Sequence, residues 1–230
     1  MLLNINNKSK ILIISPHPDD EVIGCGALIA KAKAVKSKLH VLYVTTGSTR
    51  QFVTKRTNHS TRAKEIDKVS NFGSFKYSIM FKDEYFVKLD TLPQKTLIDL
   101  FEDYIQKIKP EIIFIPFLKS YNQDHRAVHS AVITALRPLP TTVRHHVNFV
   151  MEYEEPYVWS VDDIFKPNFY LNSLKYEKDK VKLMKLHKSQ DRKFPFARSV
   201  ENLINRMRIR GSEVGLKSAE AYRLIRGQFD

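Results

Sequence analysis

Residues Lys10–Ser15 read KILIIS, and the chain runs on as Pro16-His17-Pro18-Asp19-Asp20-Glu21-Val22-Ile23-Gly24-Cys25-Gly26. A short, unbroken apolar run of this kind is what a strand covered on both faces requires, as in a parallel sheet. Working outward, Glu21–Lys36 is Ala-rich and reads as a helix, and β-branched Leu39–Thr46 as a second strand. Ser60–Phe72 is a polar amphipathic helix stopping near Gly73, and Tyr77–Phe81 is a weaker strand. Thr96–Lys109 carries Leu97, Leu100, Phe101, Tyr104, Ile105 and Ile108 at helical spacing. After Pro110 comes a buried strand, Glu111–Pro116, and then a helix, His125–Leu136, closed by Pro138 and Pro140. Strand and helix in alternation predict an α/β fold, a mostly parallel sheet with helices on both faces. The second half predicts an irregular C-terminal elaboration: strand Asn148–Tyr153, loop Glu154–Pro167, strand Asn168–Asn172, helices Tyr176–Lys188 and Ser199–Arg210, and a last strand or short helix at Glu220–Arg226. With no linker or repeat, one domain over residues 1–230 is expected.

Composition narrows the classes. Hydrophobic residues are 43% and charged residues 27% of 230, enough for a packed core, so disorder is disfavoured. A single cysteine excludes an internal disulfide framework and a Cys-rich zinc site. No apolar run approaches the roughly 20 residues of a membrane-spanning helix. The opening MLLNINNKSKILIIS lacks the apolar core and cleavage site of a signal peptide, so a cytoplasmic protein is expected. The net charge of +13 attracts anions. The chain shows no recognised nucleic-acid motif, so no nucleic-acid partner is expected.

Ligands of such sheets bind beyond the carboxyl ends of the strands. After the first strand, three carboxylates and an imidazole crowd together, and they repel unless a cation or donors compensate. His17 and Asp20 are three apart, so one turn can converge them on a divalent ion, leaving the Asp19 carboxylate free beside it. A carboxylate there suits a general base in metal-assisted hydrolysis. Glu21 is placed to accept from backbone N–H groups at the helix start. An acidic loop would repel a pyrophosphate, and Gly24 and Gly26 come too late in the helix, so a dinucleotide site is rejected. The later strand EIIFIP is followed by Ser120-Tyr121-Asn122-Gln123-Asp124-His125-Arg126-Ala127-Val128-His129. His125 is a candidate third ligand, His125 with His129 an alternative pair, and Asp124 a group that fixes a neighbour through a hydrogen bond.

The strings His17-Pro18-Asp19-Asp20-Glu21 and Asp124-His125-Arg126 resemble the PIG-L/LmbE-like family of metal-dependent de-N-acetylases. Thr46-Gly47, Arg62-x-x-Glu65, His187-x-Ser189-Gln190 and Ala219-Glu220-Ala221-Tyr222 extend the likeness over essentially the whole chain. The resemblance implies a Rossmann-like fold and removal of acetyl groups from N-acetylglucosamine units of small conjugates or lipids. It implies a divalent metal, zinc with Fe²⁺ as the alternative, on His17, Asp20 and His125, with Asp19 as general base. Many members carry a histidine where this chain has Asn122, which can donate a hydrogen bond but supplies no proton. Asp19 itself or His187 is then left to protonate the leaving amine. Arg62 is a candidate substrate contact. Arg50, Lys55, Arg56 and Arg62 form a basic stretch suited to an anionic group on the substrate. Tyr85, Tyr153 and Trp159 are candidate stacking platforms for a sugar.

Overall fold

The computed structural model describes residues 5–47, 49–51, 55–156 and 164–228, with residues 49–51, 55 and 56 as backbone alone. In chain order its elements are β1 (Lys10–Ser15), α1 (Asp20–Ala34), β2 (Lys38–Thr45), β3 (Thr49–Gln51), β4 (Lys55–Thr57), α2 (His59–Gly73) and β5 (Lys76–Phe81). Next come α3 (Gln94–Ile108), β6 (Ile112–Pro116), α4 (Gln123–Ala135), β7 (Phe149–Tyr153), β8 (Phe169–Asn172), α5 (Glu177–Leu186), α6 (Val200–Ser212) and β9 (Ala219–Gly227).

A sheet of seven strands has the order β5-β2-β1-β6-β7-β9-β8. The first five run parallel, and β9 lies antiparallel to both β7 and β8. The mostly parallel α/β architecture read from the sequence is present. β1 shows why its run is continuous. Ile11 and Ile13 join one core with residues of α1, α2, α5 and α6, while Leu12 and Ile14 join the other with α3 and α4. Burying each such side chain stabilises the fold by about 1.5–3 kcal/mol.

Three local expectations change. Thr49–Gln51 and Lys55–Thr57, not read as strands from the sequence, pair antiparallel as β3 and β4. The helix expected to Lys188 ends at Leu186, because His187 leaves helical geometry at φ −78°, ψ 61° and a 3₁₀ turn, Lys188–Gln190, comes after it. The segment left open between strand and helix is a strand, since β9 pairs on both sides.

Helix α1 is broken at Cys25, whose φ −133° and ψ 20° are non-helical. A break frees backbone groups that burial forbids leaving unpaired. Lys180 Nζ donates to the Ile23 carbonyl at 2.7 Å, and Glu220 accepts from the N–H groups of Ala27 and Leu28 at 2.7 and 2.9 Å. Lys180 and Glu220 close the patch with a 2.6 Å ion pair, each only 3% exposed. Gly26 makes room, since a Cβ there would meet Lys180 Cγ at 2.6 Å. Glu220 thus caps the second part of α1, and Lys180 ties it to the short first part, which carries Asp20 and Glu21.

Candidate active site

The strand order reverses beside β1: β2 continues on one side, while β6, reached only after β5 and α3, lies on the other. In open α/β sheets the crevice at such a switch point is where ligands bind. The loop after β1 with the first residue of α1 carries His17–Asp20, and the loop after β6 with the first turn of α4 carries Asn122–His125. A cleft of about 290 Å³ opens there, lined in part by His17, Asp19, Asp20, Asn122 and His125.

His17, Asp20 and His125 bring one ligand atom each within 4.8 Å of one another. Asp20 Oδ2 lies 3.4 Å from His17 Nδ1 and 3.1 Å from His125 Nε2. Two ligands about 2.0–2.1 Å from one ion at a tetrahedral angle are about 3.3 Å apart, so the spacing suits a small divalent ion. The outer nitrogens are fixed by carboxylates. His17 Nε2 donates to Asp124 Oδ2 at 2.8 Å, and His125 Nδ1 donates to Glu155 Oε1 at 2.7 Å. Carboxylates behind both imidazoles set the tautomers and turn the free nitrogens inward, which is how metal-ligating histidines are held. Burial works to raise the Asp20 carboxyl, but His125 and His17 hold it well below the usual carboxylate range. Against the opposing effect of burial, Asp20 and Glu155 push the His125 imidazole well up. The donor set of two imidazoles and one carboxylate therefore fits a zinc-type ion.

Asp19 is 2% exposed and lines the cleft without joining this cluster. Arg198 Nη1 donates to its Oδ2 at 2.9 Å, and Arg62 Nη2 lies 3.6 Å from its Oδ1. Burial raises the carboxyl above its ordinary value, while the Arg198 and Arg62 charges oppose this. The backbone of Asp19 has φ 117°, and its N–H donates to Glu21 Oε2 at 2.9 Å. Glu21 in turn accepts from Tyr43 Oη at 2.9 Å and from His187 Nε2 at 2.7 Å.

The other expected residues fall into place unequally. Asp124 is fully buried, bonded to His17 and to the backbone N–H groups of Val87 and Leu89 at 2.8 and 2.9 Å. Asn122 lines the cleft, and its Oδ1 caps α4 by accepting from the Asp124 N–H. Arg62 lines the cleft but is 3% exposed, donating to Ser189 Oγ at 2.9 Å and Glu65 Oε2 at 3.2 Å. It is a fixed part of the wall, not a free arm. His187 is fully buried behind Glu21 and does not line the cleft. His129 stands outside the three-ligand cluster, 2.8 Å from Glu152 Oε1, so the alternative pair with His125 does not form. Tyr153 is core, its hydroxyl donating to the Ile14 carbonyl, and Tyr85 meets Phe81 edge-to-face at 4.8 Å. Trp159 and the side chains of Arg50, Lys55 and Arg56 lie outside the described residues. Sequence reasoning misses Glu155 and Arg198. Glu155 has a signal, since it comes just after β7 at the same sheet edge as the motif; Arg198 sits in an irregular segment with no pattern to mark it.

The model of the PIG-L family, GlcNAc-PI de-N-acetylase, matches residues 12–136, which carry both motifs. An uncharacterized deacetylase of Escherichia coli K12, YaiS, is 27% identical over 202 residues, 82% of this chain and 96% of that protein. Among solved structures, N,N'-diacetylchitobiose deacetylase of Pyrococcus horikoshii superposes with a TM-score of 0.74 at 20% identity, over 98% of this chain and 87% of that one. The 4-carboxy-2-hydroxymuconate hydratase GalB of Pseudomonas putida KT2440 gives 0.75 at 17%, over 97% and 98%. At such identities the two structures show a shared fold, which hosts more than one reaction. With a family model spanning more than half its length and both motifs, this chain belongs to the PIG-L family of de-N-acetylases.

Proposed function

We propose that the protein is a zinc-dependent hydrolase that removes the acetyl group from an N-acetylated amino sugar within a small conjugate. The observation that carries this reading is the pairing of a carboxylate-backed His17/Asp20/His125 cluster with Asp19, a buried carboxylate outside that cluster in the same cleft. These three side chains would hold the zinc, which when bound would supply Lewis-acid polarisation of the amide carbonyl and make a nearby water more acidic. Asp19 takes a proton from the attacking water as its oxygen bonds to the acetyl carbon. Arg198 and Arg62 keep the Asp19 carboxylate in one orientation through this transfer. The Asn122 amide NH₂ donates toward the oxygen that gains charge. Asp19 then returns the proton to the nitrogen as the C–N bond breaks, releasing acetate and the free amine. The burial of His187 behind Glu21 supports assigning both directions of proton transfer to Asp19.

Acetate release is measured over a panel of N-acetylated sugars and conjugates, with and without added Zn²⁺ or Fe²⁺. Turnover that needs the ion is expected. Metal-independent release, or no release from any member, ends this reading, and the hydratase sharing the fold makes the second outcome informative. Replacing His17, Asp20 or His125 by Ala should sharply reduce metal occupancy, and wild-type occupancy in any one removes it from the ligand set. Glu155→Gln keeps the volume but weakens the acceptor behind His125. A loss of about 10–100-fold in metal affinity is expected. Unchanged affinity would make Glu155 a packing residue only.

A further inference from the structure

Five described non-glycine residues have positive φ. Three of them, Lys36, Ser74 and Lys109, lie at the C-terminal ends of α1, α2 and α3, where the left-handed conformation is the ordinary way to stop a helix. The other two, Asp19 and Val87, both line the cleft. Val87, at φ 56°, is the harder case, because a β-branched side chain fits this region worst of all. Burial does not compensate, since Val87 is 45% exposed.

The conformation is imposed from both sides of the residue. The Val87 N–H donates to Asp124 Oδ2 at 2.8 Å, the same oxygen that receives His17 Nε2. The Val87 carbonyl accepts from Gln123 Nε2 at 3.1 Å, and the Lys88 N–H donates to the Tyr85 carbonyl at 3.0 Å. Next to it, the Phe86 ring meets His17 edge-on at 5.0 Å, over Gly47, where a Cβ would run into Phe86. These bonds join the 85–88 loop to the start of α4, and Tyr121, two residues before that helix, is 48% exposed at the cleft. The cleft therefore has an apolar wall of Phe86, Val87 and Tyr121. Asp19, Arg62, Gln190 and Arg198, interlinked by hydrogen bonds and ion pairs, form a polar one.

Backbone strain held in place by surrounding bonds clusters at active sites and ligand clamps. We infer that Val87 is a specificity-determining residue whose isopropyl group, at the cleft mouth, packs on an apolar group of the substrate beyond the acetylated sugar. The inference rests on the deacetylase reading. It selects conjugates with an aromatic or aliphatic aglycone over the free sugar.

The test compares Val87→Asn and Val87→Gly, both at ease at positive φ, with wild type. The probes are p-nitrophenyl N-acetyl-glucosaminide and free N-acetylglucosamine. Both variants should melt about 2–4 °C higher as strain is relieved. For the aryl glycoside, kcat/KM should fall roughly 10-fold, through KM, while the free sugar changes less than about 2-fold. A lower Tm would show that the valine serves packing, and equal effects on the two probes, or none, would remove the contact; either overturns the inference. If wild type releases acetate from neither probe, the deacetylase reading fails for both. Calorimetric binding of the aryl glycoside then decides: weaker binding by the variants supports the contact, and equal binding or none to wild type overturns it.

Discussion

Asp19→Asn should lower acetate release by about 10²–10⁴-fold while metal content and fold survive. Asparagine has nearly the same shape and retains an oxygen to accept from Arg198, which donates to Oδ2 at 2.9 Å in the native protein. It also tolerates positive φ better than most residues, which matters at φ 117°. What it loses is the ability to take a proton from water and return it to the leaving amine. Metal should stay, because the converging ligand atoms belong to His17, Asp20 and His125. Metal analysis, melting temperature and turnover on one preparation separate the outcomes. Loss of metal along with activity would make Asp19 a ligand, and unchanged turnover would end its assignment as base.

The largest stability effect is expected at Lys180, which no motif marks. Lys180→Met keeps the length and apolar stem but removes the ammonium that pairs with Glu220 at 2.6 Å and caps the Ile23 carbonyl at 2.7 Å. Glu220 would remain buried without its counter-ion, and breaking one partner of such a pair costs about 3–5 kcal/mol. For a chain of this size that is roughly 6–20 °C in Tm. The double variant Lys180→Met/Glu220→Gln should recover part of the loss, because no unpaired charge is then left. Metal affinity should fall too in Lys180→Met, since the supported segment carries Asp20. Denaturant unfolding of the single and double variants checks this. A single-variant loss below about 1 kcal/mol would mean that water reaches the site and the pair is dispensable.

The two motifs and the fold were legible in the sequence for the same physical reason: both are local. A strand buried on two faces must be apolar throughout, so KILIIS and EIIFIP declare themselves and place the residues after them at the carboxyl edge of one sheet. There the density of charge in His17–Glu21 has few explanations besides a cation. Elements whose character depends on distant partners were not legible. Glu155 follows a strand at the motif's sheet edge, but it is one acid in a run, and only the tertiary fold sets it behind His125. Lys180 and Glu220, 40 residues apart, look like surface charges until the break at Cys25 offers them backbone groups to pair. Arg62 with Glu65 has the spacing of an exposed helix pair, and only packing against Ser189 and Asp19 buries it. His187 passes for a helix-end histidine or a proton donor, and burial behind Glu21 decides between them. Val87 carries no signal at all, because backbone strain arises from the hydrogen bonds that Asp124 and Gln123 impose across the fold. Periodicity and charge density along the chain determine the sheet and the candidate metal-binding motif; long-range pairing and exclusion of water decide which of the remaining charges line the cleft and which support it.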